Sequence, residues 1–332
     1  MSHVRVACAG AWHSHAKDFA NRMEGIPDCE LVAVWDADPA VAKEWAGEKN
    51  CRCYTDYDEM IHADDIDAII VTCPTVDHAD LLIRAAKAGK DIYVEKALTA
   101  TVEQAKKLQQ AVHEAETSHG VHFVMSDPVL KGVALYAKAL MDSGKFGNIL
   151  SVRSRNGHDL AYKNPALVRI YQRPEESGGG VLLDMGHHSV HVLHFLLGKP
   201  ETAVGMFASV GDVSRETGAE DFCHVAYQYA NGAIGIAEGG LVTPRYESGL
   251  EIVGDKGYLI STVDGIRCHF EGEDPYTVDP SALPEDGPAP QRYWIECIHD
   301  QVPCELYGID EAVEIMEMIE AAYKSKGVAV KI

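Results

Sequence analysis

The sequence predicts two α/β parts: a doubly wound parallel sheet first, then an α+β domain with a large, mostly antiparallel open sheet. Three observations carry this. Short apolar runs alternate with helix-length segments through residues 1–126; the rhythm changes near Ser126; and turn signatures between short strand-like segments crowd the remainder. A chain of 332 residues suits two cores at roughly 100–200 residues each. The expected division is therefore 1–126 and 127–332, with the C-terminal helix able to pack back on the first domain.

Taken in order, Val4 to Ala9, Leu31 to Trp35, Ala68 to Thr72, Ile92 to Val94 and Val121 to Val124 are short, mostly apolar runs, the pattern of strands buried on both faces. Between them, His15 to Met23, Pro39 to Lys49, His78 to Ala88 and Thr101 to His119 have helical character. Thr101 and Gln104 stand at capping-box spacing, which satisfies two orphan backbone donors. Right-handed crossovers then give a doubly wound sheet.

After Ser126 a helix is expected over Leu130 to Ser143, followed by a strand from Ile149 to Arg155. Asn231-Gly232 lies between Tyr227-Gln228-Tyr229 and Ile234-Gly235-Ile236, a hairpin signal because both turn residues tolerate positive φ. Asp255-Lys256-Gly257 repeats the device. An open sheet built this way needs a helix, a ligand or another subunit on its far face. Five prolines between Pro275 and Pro290, among acidic residues, read as a surface excursion. An amphipathic helix, Ile309 to Lys324, and a short strand, Val328 to Ile332, close the chain.

Composition narrows function. Against 29 basic residues stand 51 acidic ones, a formal charge of −22, and such a field repels phosphate backbones and anionic headgroups. Neither nucleic acid nor a membrane is expected as partner. No signal-like segment precedes the first strand, and the nine cysteines form no Cys-x-x-Cys pair. The expected location is the cytoplasm.

The first strand ends in Gly10-Ala11-Trp12-His13-Ser14-His15, where a dinucleotide fold presents a glycine-rich loop. Only the first glycine is present. Gly10 alone can supply the tight turn that sets backbone N–H groups and a helix N-terminus against a pyrophosphate. Asp36 ends the second strand, where a carboxylate accepts the ribose hydroxyls of NAD and repels the extra phosphate of NADP. A cap for the helix at Pro39 is the other role open to it.

Thr72-Cys73-Pro74 with His78, then Ala88-Gly89-Lys90-Asp91-Ile92-Tyr93-Val94-Glu95-Lys96-Ala97-Leu98-Thr99, resemble two signatures of the glucose-fructose oxidoreductase, inositol dehydrogenase and MocA (Gfo/Idh/MocA) family. Gly178-Gly179-Gly180-Val181-Leu182-Leu183-Asp184-Met185-Gly186-His187-His188 and Glu251 to Gly257 resemble two more, in the family's order. The resemblance implies an N-terminal Rossmann domain binding NAD and a C-terminal domain whose sheet mediates homodimers or homotetramers. It implies Lys96, Asp184 and His188 as the catalytic set, and Gly10, Ala11, Trp12, His13, Asp36, Thr72, Cys73, Pro74, His78, Glu95 and Lys96 about the cofactor. Three positions depart from the pattern: the missing glycines, Ala97 in place of proline, and Ser126-Asp127-Pro128 where many members carry arginines.

The implied activity is hydride transfer between the nicotinamide and a hydroxyl or keto group of a sugar, cyclitol or keto-glycoside. It needs a proton acceptor, and imidazole titrates near neutrality, which suits His188. Asp184, one helical turn earlier, can orient that ring; Lys96 can polarise the reacting oxygen. The alternatives are an enzyme that retains NAD for transient oxidation followed by elimination or glycosidic cleavage, and a nucleotide-sensing scaffold. His15, Arg155, His158, Tyr162, Arg169 and His187 are substrate candidates. Arg153, Arg155, Lys163, Arg169 and Arg173 face only Asp159 in their stretch, a reversal of charge that suits an anionic group, although solvated charge explains it too. No metal is expected, because the crowded histidines lack a matching set of carboxylates in sequence.

Overall fold

In the computed structural model, which describes residues 3–23, 25–243, 248–325 and 327, six parallel strands form the first sheet. They are Val4–Ala9 (β1), Cys29–Trp35 (β2), Arg52–Tyr54 (β3), Ala68–Val71 (β4), Asp91–Glu95 (β5) and Phe123–Ser126 (β6), in the order β3-β2-β1-β4-β5-β6. The order reverses between β1 and β4, so a crevice opens at their carboxyl ends. Both strands explain their own centrality: Val6 to Ala9 and Ala68 to Val71 are wholly buried.

Local chemistry sets the helix starts. Asp38 caps Pro39–Lys49 by accepting from the N–H of Ala40 at 2.8 Å, and Pro39 takes the first helical position. Thr101 Oγ1 accepts from the N–H of Gln104 at 3.3 Å, but Gln104 Oε1 finds no partner, so half of the expected capping box is made. The edge strand β3 and the helix Tyr57–Ile61 escape sequence reading because neither is long enough to show a period.

Two compact units result, the first from Met1–Asp127 with Pro288–Met316, the second from Pro128–Gly287 and the chain from Glu317 onward. The expected break near residue 126 describes only the first crossing. The helix Pro290–Asp300 belongs to the first unit: Gln291 Nε2 donates to the carbonyl of Phe19 at 2.9 Å, Trp294 Nε1 to that of His122 at 3.2 Å, and the Trp294 and Tyr93 rings lie 5.5 Å apart. The predicted strand Val328 to Ile332 lies outside the described residues.

Among its described residues the second unit holds eight strands: Ile149–Gly157 (β7), Thr202–Ala208 (β8), Phe222–Gln228 (β9), Ile234–Gly240 (β10), Gly249–Gly254 (β11), Gly257–Thr262 (β12), Gly265–Phe270 (β13) and Tyr276–Val278 (β14). Their order is β14-β13-β12-β11-β7-β10-β9-β8, with β7 and β10 parallel and the other neighbours antiparallel. In the β9–β10 turn Gly232 takes φ +85°, while Asn231 acts through its side chain, Oδ1 accepting from the N–H of Ala233 at 3.0 Å. The proline-rich stretch contributes β14 at the sheet edge, where proline is tolerated. The helix Met185–Leu197 covers one face, Ser189 Oγ donating to the carbonyl of Glu238 at 2.9 Å. On the other face Val204, Met206, Ile234 and Val253 are 42–67% exposed.

Candidate functional site

The crevice of the first unit begins at Gly10. Its φ is +88°, and a Cβ there would stand 2.6 Å from the backbone of Cys73, so the end of β1 can approach the end of β4 only without a side chain. The loops are tied together: Gly10 N–H donates to the carbonyl of Trp35 at 2.8 Å, His13 N–H to that of Thr72 at 3.1 Å, and Thr72 Oγ1 to that of Gly10. These bonds hold the ends of β1, β2 and β4 together.

Beside this turn lies a cavity of about 540 Å³ lined by Gly10, Ala11, Trp12, Asp36, Cys73 and Pro74 among others. Asp36 is not the cap of the next helix, which is Asp38. Its oxygens accept from the N–H groups of Ala11 at 2.7 Å and Asp38 at 2.8 Å. Asp77, Asp80, Leu81 and Arg84 also line the cavity, and sequence reasoning missed them. Their spacing along the helix Thr75–Lys87 was the available signal, since residues three and four apart share a face. Arg84 pairs with Asp58 at 2.7 Å and with Asp80, itself on the cavity wall, at 3.0 Å.

At the carboxyl end of β5, Glu95 and Lys96 are buried, and the Lys96–Ala97 peptide bond is cis. Burial pushes the Glu95 carboxyl up, but the His13 and His15 rings and the Lys96 charge more than reverse this and hold it below its ordinary range. His15 Nδ1 stands 3.1 Å from Glu95 Oε2, and His13 Nδ1 stands 3.9 Å from the same oxygen. His15, expected near substrate, thus joins two residues expected near cofactor. His78 is a buried brace: Nε2 faces the carbonyl of Cys73 at 3.0 Å and Nδ1 that of Ala97 at 3.1 Å, linking the loops after β4 and β5.

In the second unit the three glycines of Gly178-Gly179-Gly180 serve different needs. Gly178 takes φ +77°, and a Cβ at Gly179 or Gly180 would meet Tyr323 Oη at 3.0 Å or Glu220 Oε2 at 2.3 Å. Glu220 grips the turn, its carbonyl accepting from the N–H of Val181 at 2.9 Å and its Oε1 from that of Leu182 at 3.1 Å. The turn delivers Asp184 to the N-cap position of Met185–Leu197, with no cap bond from its own side chain. His188 follows one turn later, and both are half-buried.

The substrate candidates of this unit scatter. His187 is fully buried, its ring 6.4 Å from that of His191. Tyr162 is 60% exposed. His158 Nδ1 accepts from the N–H of Leu160 at 3.2 Å. The basic stretch is neutralised by carboxylates remote in sequence: Arg153 pairs with Glu238, Arg155 with Glu251 at 3.1 Å and Arg169 with Glu216, while Lys163 pairs with Asp159 and Arg173 with Glu176 nearby. No anionic ligand is needed to balance these charges.

A parallel sheet in this order, with a glycine turn after β1 and an acid after β2, is the arrangement of a dinucleotide-binding domain. Residues 4–123 match the model of an oxidoreductase family with an NAD-binding Rossmann fold, and residues 134–260 that of the GFO/IDH/MocA C-terminal domain. Inositol 2-dehydrogenase of Rhizobium meliloti (strain 1021) is 31% identical over 258 residues, spanning 76% of this chain and 74% of that protein. The chain belongs to the GFO/IDH/MocA oxidoreductase family and carries its NAD-binding domain. The scyllo-inositol 2-dehydrogenase (NAD(+)) of Bacillus subtilis (strain 168) is 28% identical, over 77% of this chain and 74% of that one. The same fold is seen in aldose-aldose oxidoreductase from Caulobacter crescentus complexed with glycerol, at TM-score 0.80, 21% identity and coverage of 99% and 100% of the two chains. Levoglucosan dehydrogenase in complex with NADH and levoglucosan gives TM-score 0.81 at 18% identity, over 98% and 97% of the chains. Among the described residues no helix is long and apolar enough to cross a membrane.

Proposed function

We propose that the protein is an NAD-dependent dehydrogenase acting on a CH–OH group of a sugar or cyclitol, reversibly forming the ketone. The observation that carries this reading is the cavity at the β1–β4 crevice, where Asp36, Asp38, Asp77 and Asp80 gather and Arg84, the lining cation among the described residues, pairs with Asp80 of that set and with Asp58. This excess of carboxylates, with Asp36 at the end of β2, favours the free ribose hydroxyls of NAD over the phosphate of NADP. The names of the inositol dehydrogenases among its relatives support the substrate class.

NAD supplies the hydride acceptor when bound. Gly10, Ala11 and Trp12 line the cavity proposed for the dinucleotide, the N–H groups of Gly10 and Ala11 being given to Trp35 and Asp36, and Cys73 and Pro74 line it beside them. Lys96, buried at the end of β5, is assigned to the reacting oxygen, whose developing negative charge it stabilises. His188 is assigned as proton acceptor and Asp184 as the group that orients the ring or binds a neighbouring hydroxyl. We also propose that the chain forms homodimers or homotetramers through the uncovered face of the second sheet.

The test is a panel of sugars, cyclitols and 3-keto-glycosides offered with NAD or NADH, followed by absorbance of the reduced nicotinamide and product identification. Net NADH formation or consumption is expected with at least one compound, and Lys96→Met should reduce turnover a hundredfold or more while NAD still binds. Product without net change in NADH would assign the chain to the retained-cofactor chemistry instead. Tight NAD binding without any turnover would make it a nucleotide-binding scaffold.

A further inference from the structure

We propose that His13, His15 and Glu95 form a binding site for a divalent transition-metal cation of the zinc class. One ligand atom from each residue lies within 4.8 Å of the other two, and Glu95 Oε2 stands 3.1 Å from His15 Nδ1 and 3.9 Å from His13 Nδ1. A cation bound at the usual 2.0–2.2 Å sets neighbouring ligand atoms about 3.0–3.5 Å apart. The first separation lies in that range and the second exceeds it by a few tenths of an ångström; His13 Nδ1 accepts from the N–H of His15 at 3.2 Å, a bond that coordination through this atom would replace.

The scaffold is stiff where the site needs it. Glu95 pairs with Ser126 in the β5–β6 ladder, and the backbone of His13 is bonded to Thr72. The Glu95 side chain is 2% exposed and that of His13 8%, whereas that of His15 is 44% exposed. Two ligands are thus fixed inside and the third stands at the rim, which leaves an entry path. Glu95 Oε1 is buried and has no hydrogen-bond partner, and a desolvated carboxylate oxygen left this way is costly. A cation drawing on both oxygens of Glu95 removes that cost.

The donor set selects the ion. Two imidazoles and a carboxylate suit zinc, cobalt or nickel, whereas magnesium and calcium prefer oxygen alone. Three protein ligands leave a coordination position for water or a ligand oxygen, the arrangement of catalytic zinc sites. In the sequence, His13-Ser14-His15 is only a permissive pattern; β5 brings the carboxylate that completes it. A proton shared between Glu95 and the histidines is the competing occupant.

Full-length protein, stripped with a chelator and dialysed, is titrated with Co2+ alone and followed by visible absorbance, with Zn2+ competition by calorimetry. Saturation at one equivalent is expected. His15→Asn and Glu95→Gln should each weaken affinity at least tenfold, whereas His113→Asn, removing an imidazole 3.0 Å from Asp310 Oδ1, should not. Circular dichroism establishes which variants fold, and the exposure of His15 makes its replacement safe for the core. No saturable Co2+ binding, or unchanged affinity in either folded variant, overturns the proposal. Metal binding is read without substrate or turnover, so this result stands apart from that of the dehydrogenase assay.

Discussion

Both carboxylate oxygens of Asp36 accept backbone N–H groups, from Ala11 and Asp38, so this residue shapes the loop while charging the cavity. A 2′-phosphate placed some 5–6 Å from such a carboxylate, at an effective dielectric between surface and bulk values, costs roughly 1–3 kcal/mol. Wild-type protein should therefore bind NAD at least tenfold more tightly than NADP. Asp36→Ser should narrow that ratio about tenfold and weaken NAD as well, because the loop loses both bonds. Fluorescence titration with the two cofactors measures it, and equal affinities in the wild type would remove Asp36 from this role. Asp36 was legible in sequence because it closes an apolar run. The pairing of Arg155 with Glu251 and of Arg169 with Glu216 was not, since their partners come from distant segments, and the basic stretch looked unbalanced in consequence.

One scale up, the Gly178-Gly179-Gly180 turn depends on an element far along the chain: Tyr323, on the helix Ile309–Ser325, donates to Glu220 Oε1 at 2.6 Å and accepts from the N–H of Gly180 at 3.3 Å. Burial pushes the Glu220 carboxyl up, against the opposing pull of the Tyr323 and Leu182 donors. A raised folded-state pKa favours the fold most below the unfolded value of about 4.3, and that advantage is lost as pH rises through the folded value. Glu220→Gln retains an acceptor for both donors without the charge. Its melting temperature relative to wild type should thus climb from pH 4 to pH 8; a flat or falling difference across that window would show that the donors outweigh burial. The glycine triplet was visible in the sequence as a motif, but its cause was not, because Tyr323 and Glu220 announce nothing by spacing. Elements divide in the same way. The long runs that became β1, β4 and the helix Pro39–Lys49 were readable, whereas β3, with three residues, and the helix Pro290–Asp300, opening inside a proline-rich stretch, were not.

For the molecule as a whole, the proposed assembly sets an apolar face against a large net charge. Val204 and Met206 on β8 and Ile234 on β10 project from the face opposite the helix Met185–Leu197, and inward of them Glu238 is closed over by Arg153 and by His224, whose Nε2 lies 3.3 Å from Glu238 Oε1. An apolar rim beside an internally balanced charge row can be covered by a second copy without stranding an unpaired ion. The formal charge of −22 opposes the approach of any two copies, and added salt screens it over about 10 Å at 0.1 M. Association should therefore tighten as salt rises from 10 to 300 mM, the reverse of what an interface built on complementary charges does. Met206 is 67% exposed, so Met206→Glu leaves the core of the subunit alone while adding a negative charge to this face, and it should raise the dissociation constant at least tenfold. Sedimentation velocity across a concentration series measures both effects. Monomers at every concentration and salt, or an assembly indifferent to Met206→Glu, would take the interface away from this face.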